Sequence, residues 1–153
     1  MKIADLLELK SINADISSSG KMDVLSELSG LLAASCNEIN AEQATRILLE
    51  RERLATTGIG DGVAIPHGKV NNLDSIYAAV GISKTGIPFD AVDGRPVHIF
   101  VALLAPQGST GDHLKALARI SRLLKDPSFR EKLLTAQTSE DVYNALLEED
   151  GKY

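Results

Sequence analysis

The chain contains one cysteine, no tryptophan and no apolar run long enough to span a bilayer. A single cysteine excludes an internal disulfide. The lack of an apolar signal run or a spanning segment predicts a cytoplasmic protein without membrane insertion. Cys36 itself lies in an apolar helical run, so we expect it to be a small buried hydrophobe.

Positive charge is also scarce. The chain has 16 Lys and Arg against 21 Asp and Glu, a formal net charge of −5, and no concentrated basic block. This balance argues against nucleic acid as a partner, because phosphate contacts need clustered cations. With 44% hydrophobic and 24% charged residues in 153, the composition predicts one globular domain over residues 1–153.

Helical periodicity marks both ends of the chain. Apolar residues recur at spacings of three and four from Lys21 to about Ser35. Asn40 and Gln43 form a capping-box pattern that starts a second helix, expected to end near Leu54. Three further helices are predicted after residue 110: one with its apolar stripe over 114–124, one from the Asp126-Pro127 cap to 134, and one from a cap at 138 to 147.

The middle of the chain has the pattern of strands. Short apolar runs at 63–65, 76–82 and 97–105 are bounded by Gly, Pro, Asn and Asp. The run at 97–105 is apolar nearly throughout, which is typical of a central strand covered on both faces. The predicted fold is therefore a single α/β domain, with a small mixed β-sheet flanked by helices.

One stretch, TTGIGDGVAIPHGKV, residues 56 to 70, concentrates glycines around a histidine. His67 follows a predicted strand, where we expect the chain to turn. Pro66 stiffens its approach, and Gly68 leaves room beside it. Such an imidazole can serve as acid, base, metal ligand or nucleophile. The alternative is a plain polar turn. His98, inside the central strand, is expected to be packed and hydrogen-bonded.

The spacing of potential ligands does not favour a metal site, since zinc needs three or four ligands at characteristic spacings. A Walker loop and a serine-hydrolase elbow are also missing. A phosphate near His67 would need cations, and Arg51 and Arg53 end the helix that leads into this loop. His113 lies where a loop after the central strand enters a helix, a common place for ligand sites. Arg51 could equally be a solvated helix end.

The stretch RERLATTGIGDGVAIPHGK, residues 51 to 69, resembles the signature of the fructose/mannitol/nitrogen-type IIA proteins of the bacterial phosphotransferase system (PTS). The similarity continues through the central strand to the element Pro106–His113 and includes the N-terminal helices. Within the family, the chain looks most like the free-standing nitrogen-regulatory branch, because it carries an IADLL-type start and no fused sugar-specific domain is expected. The resemblance implies the PTS IIA type-2 fold.

The resemblance also implies a phosphotransferase component. His67 would accept a phosphoryl group at Nε2 from a histidine phosphocarrier protein, with Arg51 and His113 as further active-site residues. Thr57 and Gly68 are expected phosphate-binding positions. Arg53 has no such assignment and is expected to have a structural role. No metal and no cofactor are required. Three residues are candidates either for a shallow apolar docking ring or for packing in the core: Ile59, Val63 and Leu114.

Three functions remain open at this stage. The protein could be a phosphoryl carrier whose phosphorylation state regulates target proteins. It could be a sugar-specific IIA that passes the phosphoryl group to a IIB transporter subunit. It could also be a non-catalytic binding module that keeps the fold and uses the loop only for docking. The residues His67, Arg51 and His113 disfavour the third.

Overall fold

The computed structural model describes residues 1–152. Two 3₁₀ turns, Ile3–Leu6 and Leu9–Ser11, open the chain. The helices are α1 (Lys21–Ser35), α2 (Ala41–Leu54), α3 (Thr110–Leu123), α4 (Pro127–Thr135) and α5 (Ser139–Asp150). The strands are β1 (Ile12–Asn13), β2 (Gly58–Gly60), β3 (Val63–Ala64), β4 (His67–Val70), β5 (Tyr77–Ile87) and β6 (Val97–Pro106). None of the helices within residues 1–152 has the length and apolarity needed to cross a membrane.

The strands form one mixed sheet with the order β1-β5-β6-β3-β2. Strand β5 is antiparallel to β6, whereas β3 and β4 both run parallel to β6 and pair with it one after the other. Strand β4 pairs only with β6 among the described residues, so its other side is an edge of the sheet. The predicted α/β class with a mixed sheet is therefore confirmed.

Strand β6 is buried on both faces, as its continuous apolar run predicts. One face packs with α3, α4 and α5, and the other with α1 and α2. Alternate residues of β6 contribute to the two sides, because successive side chains of a strand point in opposite directions. The side chains toward α3 are Ile99, Val101 and Leu103, and those toward α1 and α2 are Phe100, Ala102 and Leu104.

Several predicted helix boundaries are confirmed by specific caps. The Asn40 side chain accepts from the Gln43 amide at 2.8 Å, and the Gln43 side chain accepts from the Asn40 amide at 3.0 Å. The side chains of Asp126 and Thr138 cap α4 and α5 by accepting from the amides of Ser128 and Asp141, and Asp126 is followed by a proline. Cys36 is 1% exposed, in agreement with its expected role as a hydrophobe.

Strands β2 and β4 lie outside the three apolar runs that were predicted as strands, as does the two-residue strand β1. Residues 67–70 follow a proline and combine a glycine with two polar side chains, so neither alternation nor β-branching marks them as a strand. Their pairing with β6 is a tertiary interaction. The expectation that His67 lies in a turn is therefore wrong, since it begins a strand. The actual turn is at 60–62, where Gly60, Asp61 and Gly62 all have positive φ.

The carboxyl end of α5 is tied to the rest of the domain by a buried aspartate. Asp150 is 1% exposed. Its carboxylate accepts from Nε of Arg119 on α3 at 2.6 Å and from the amide of Ala4 at 3.3 Å. Its backbone oxygen accepts from Lys2 Nζ at 2.8 Å. These contacts join α5, α3 and the N-terminal turn.

We expect Asp150→Ala to lower the free energy of unfolding by about 3 kcal/mol, because it leaves the mostly buried Arg119 guanidinium without its counter-charge. Urea unfolding measures the change. Glu148→Ala is the matched control, since Glu148 forms an exposed ion pair with Lys132 and its loss should matter little. Equal effects of the two substitutions would contradict the assigned role of Asp150.

Candidate functional site

A cleft of about 460 Å³ lies over the edge strand β4, between α2 and α3. Its walls come from three separate parts of the chain. Residues of α2, β4 and α3 line it: Ile47, Glu50, Arg51, Leu54, His67, Gly68, Lys69, Thr110, His113, Leu114 and Leu117. The structure thus brings Arg51, His67, Gly68 and His113 into one cleft, as expected if they belong to a single site.

Strand β4 directs successive side chains toward the two helices. His67 is in register with Leu103, whose side chain packs on the α3 side, and Gly68 is in register with Leu104, which packs on the α2 side. A Cβ at Gly68 would collide with the Cγ2 atom of Ile47 on α2. The missing side chain of Gly68 therefore allows α2 to approach β4, which is a packing role distinct from the expected phosphate contact.

The imidazole of His67 is held by one backbone hydrogen bond. Its Nδ1 lies 2.8 Å from the carbonyl oxygen of Ile65. Because a carbonyl can only accept, Nδ1 must carry the proton, and in the neutral ring this leaves the lone pair on Nε2. The half-buried ring lines the cleft. The geometry thus selects the tautomer in which Nε2 is the nucleophilic nitrogen.

His113 lies in the first turn of α3 and meets His67 edge to face. The ring centroids are 5.3 Å apart and the planes are inclined by 78°. His113 is only 5% exposed, and its Nε2 is buried without a hydrogen-bond partner among residues 1–152. Buried polar atoms normally have a partner. A polar group entering the cleft is therefore the natural partner for this nitrogen.

The pKa values of both cleft histidines lie below the usual 6.5. Burial is the largest cause of the lowered pKa of His67; the nearby Arg51 charge lowers it further, while the Ile65 hydrogen bond and Glu52 oppose the shift. Burial also lowers the pKa of His113, with His67 and Lys69 adding to the effect. Both rings are therefore neutral near pH 7, and His67 has the form that can attack an electrophile.

Arg51 lies on the last turn of α2 and lines the same cleft as His67. One guanidinium nitrogen donates to the carbonyl oxygen of Ala55 at 2.9 Å, which caps the end of the helix. A guanidinium has five N–H donors, so others are available for an anion. Arg53, two residues further on, is exposed and does not line the cleft, which agrees with its assignment as structural.

Thr57 does not line the cleft. It is 4% exposed, and both its amide and its hydroxyl donate to the carboxylate of Glu52, at 2.8 and 2.6 Å. Its donors are therefore occupied by a buried carboxylate, so this geometry gives no support to the expected phosphate contact. Thr57 instead anchors the segment between α2 and β2.

The expected docking ring is only partly correct. Val63 is 1% exposed and belongs to the core, so its assignment to the ring is wrong; its side chain packs under the sheet with β6 and α3. Ile59 is 48% exposed but does not line the cleft. Leu114 does line it at 61% exposure, together with Leu54 at 81%, which the sequence analysis missed. The exposed position of Leu54 in the cleft was not predicted, because no sequence pattern marks an apolar residue at a helix end as part of a binding surface.

His98 lies outside the cleft, and its Nδ1 donates to the carbonyl oxygen of Ser83 at 2.9 Å. This hydrogen-bonded position agrees with its expected structural role. As for metals, residues 1–152 contain no group of three or more His, Cys, Asp or Glu side chains placed to hold an ion.

Comparison with known proteins identifies the family. The family model described as phosphoenolpyruvate-dependent sugar phosphotransferase system, EIIA 2, matches residues 5–149. The chain belongs to the PTS EIIA type-2 family. Members of this family are phosphotransfer components, and the resemblance in residues 51–69 is confirmed.

Individual members of the EIIA type-2 family are similar over nearly the whole chain. A nitrogen regulatory protein from Bradyrhizobium diazoefficiens is 40% identical over 146 residues, which is 95% of each chain. The fructose-specific EIIABC component of Bacillus subtilis is 34% identical over 98% of this chain and 24% of its own length. The crystal structure of IIA-Ntr from Neisseria meningitidis superposes with a TM-score of 0.86 at 33% identity, covering 94% of this chain and 98% of that one.

Behind the cleft of this EIIA protein, Glu52 supports His67 through a chain of hydrogen bonds. Glu52 is 5% exposed and holds Thr57, and it also lies 3.3 Å from Lys21 Nζ. The carbonyl of Thr57 accepts from the amide of Ile65 at 3.0 Å, and the carbonyl of Ile65 accepts from His67. Glu52 is thus a positioning residue that the sequence analysis missed, since nothing in the sequence marks a helix-end glutamate as buried.

The two charges that act on His67 predict opposite titration shifts. Arg51→Met should raise the pKa of His67 toward 6.5, because it removes a nearby positive charge. Glu52→Gln should lower the pKa further, because it removes the opposing negative charge. An NMR titration of the imidazole resonances measures both. Arg53→Met, an exposed neighbour, is the control and should leave the pKa of His67 unchanged; shifts of the same sign in the first two variants would refute this electrostatic account.

Proposed function

We propose that this protein is a phosphoryl carrier that accepts a phosphoryl group on Nε2 of His67 from a histidine phosphocarrier protein. The single observation that carries the proposal is the Nδ1 hydrogen bond to Ile65, which leaves the Nε2 lone pair of a neutral ring available in an open cleft. Membership in a family of phosphotransfer components supports it. The reaction belongs in the cytoplasm, as the sequence analysis expects.

In the proposed step, Nε2 of His67 attacks the phosphorus atom in line with the donor's P–N bond. The new N–P bond forms as the old one breaks, and the electron pair of the old bond returns to the donor imidazole. Positive charge then develops on the His67 ring. The Ile65 carbonyl stabilises this charge at Nδ1, whose proton stays in place throughout. Because a P–N bond is exchanged for another P–N bond, the transfer can run near equilibrium.

The remaining cleft residues stabilise the phosphoryl oxygens. Arg51 supplies a guanidinium whose fork matches those oxygens, and Nε2 of His113 can donate to one of them in the tautomer that carries its proton there. Donors already in position cost no reorganisation during the reaction. Gly68 contributes by admitting α2, and hence Arg51, close to the strand that carries His67. A direct phosphate contact of Gly68 stays a prediction.

We propose further that the protein acts as a nitrogen-regulatory IIA component, through the effect of its phosphorylation state on target proteins. The similarity to a nitrogen regulatory protein over 95% of both chains supports this branch. Phosphorylation adds close to two negative charges to the cleft, which changes the proteins that can bind there. The alternative, transfer to a IIB transporter subunit, is supported by the similarity to a fructose-specific component.

The phosphoryl acceptor can be tested directly. Incubation with phosphoenolpyruvate and the general phosphotransferase enzymes should add the mass of one acid-labile phosphate to the wild type, as read by mass spectrometry. His67→Ala should abolish this gain, and His98→Gln should keep it because His98 lies outside the cleft. A wild type that gains no phosphate would favour a non-catalytic binding module. A gain that survives in His67→Ala would place the acceptor elsewhere.

The two leucines at the cleft predict where the donor protein docks. Leu54 and Leu114 are large, exposed and on opposite walls of the cleft that holds His67. A donor histidine must approach closely, and burial of the apolar side chains around it on docking stabilises the complex.

The double variant Leu54→Ala, Leu114→Ala should therefore weaken donor binding about tenfold. Titration calorimetry with the unphosphorylated carrier protein measures the affinity. Val92→Ala is the matched control, because Val92 is 72% exposed but does not line the cleft. If Val92→Ala weakens binding as much as the double variant does, the docking surface is not this cleft.

A further inference from the structure

Lys69 is a cation of the cleft that the chemistry described above leaves without a role. It follows His67 by two residues on β4, so both side chains leave the strand on the same face. Its ammonium donates to the hydroxyl of Thr110 at 3.0 Å. Within residues 1–152 it forms no ion pair with a carboxylate. Its charge is therefore not neutralised by a carboxylate of the described residues, and its ammonium is hydrogen-bonded to a neutral hydroxyl.

This arrangement changes once the cleft holds a phosphoryl group. An ammonium has three donors, and a charged phosphoryl oxygen is a stronger acceptor than a hydroxyl. Lys69 already acts electrostatically inside the cleft, since its charge contributes to the lowered pKa of His113. A phosphate on His67 would thus attract the ammonium away from Thr110.

Thr110 is the first residue of α3, whose first turn is also anchored by the buried ring of His113 against His67. The N-cap residue Ser109 makes no side-chain cap, and its hydroxyl donates back to the carbonyl of Pro106 at 3.0 Å. A Cβ built at Gly108 or Gly111 would contact nothing, so neither residue packs tightly there. The bond from Lys69 is therefore a side-chain hydrogen bond that links β4 to the first turn of α3, in addition to the ring contact between His67 and His113.

We propose that Lys69 is a phosphate-binding residue, and that phosphorylation of His67 transfers its ammonium from Thr110 to a phosphoryl oxygen, so that the first turn of α3 changes with the phosphorylation state. This inference rests on the proposed phosphoryl transfer to His67. It names the element through which a partner distinguishes the two forms. Leu114 follows on the same helix, so a change in this turn reaches the proposed docking surface directly.

The test compares wild type, Lys69→Met and Lys69→Arg, each incubated with phosphoenolpyruvate and the general phosphotransferase enzymes. Lys69→Met removes the charge and keeps most of the length of the side chain, and Lys69→Arg keeps the charge. Lys115→Met is the matched control, because Lys115 is an exposed lysine of α3 that does not line the cleft. Thermal unfolding of each variant checks that the fold is intact.

We expect Lys69→Met to reduce two measured quantities, the phosphorylation rate and the amide shifts that phosphorylation causes in the first turn of α3. The phosphorylation rate should fall at least about tenfold in Lys69→Met, as the loss of one hydrogen bond to a charged group implies, and should be largely restored in Lys69→Arg. In the wild type, phosphorylation should shift the backbone amide resonances of residues 110–113. In fully phosphorylated Lys69→Met, these shifts should be much smaller, whereas Lys115→Met should behave as the wild type in both measurements.

The outcomes separate this inference from the function on which it rests. If the wild type gains no phosphate, phosphoryl transfer itself fails. If the wild type and Lys69→Met are phosphorylated at the same rate, Lys69 is not a phosphate-binding residue and the inference is overturned. If the rate falls while residues 110–113 shift as in the wild type, the proposed coupling to α3 is overturned.

Discussion

The pairing of β4 with β6 is the constraint on which the cleft depends. Strand β6 is buried on both faces and is therefore a rigid support for its neighbours. A strand attached at its edge presents His67 toward α3 and Gly68 toward α2. Gly68 lets α2 approach closely, and α3 brings His113 to the other side. A cleft between two helices results, with its reactive ring fixed from the backbone.

The charges of the cleft differ from those of the whole chain. The protein has a formal net charge of −5, yet the lining contains Arg51 and Lys69 against the single carboxylate of Glu50. Glu52 is close by, but it is buried behind the lining and paired with Lys21 and Thr57. The negative charge is thus used to position the backbone, while the positive charge faces the space an anion would occupy. Neutral imidazoles complete a site suited to a phosphoryl group.

Rigid and adjustable parts are combined within this site. His67 is held through Ile65, Thr57 and Glu52, a chain of hydrogen bonds that runs back to the end of α2. The first turn of α3 has no side-chain cap at Ser109, and one of its hydrogen bonds comes from a cation that an anion can attract. The proposed carrier function needs both properties, because the proposed acceptor atom must stay in position while the surface that partners contact changes.

Features that depend on local chemistry could be predicted from the sequence. The helix caps at Asn40, Asp126 and Thr138 act through neighbours along the chain, and the apolar run of β6 is visible in the sequence as it stands. Three features could be established only from the folded chain: that residues 67–70 form a strand, that Val63 is buried, and that Arg51 and His113 line one cleft. These features depend on strand pairing and side-chain packing between segments that are distant in the sequence, and local sequence patterns do not predict such contacts.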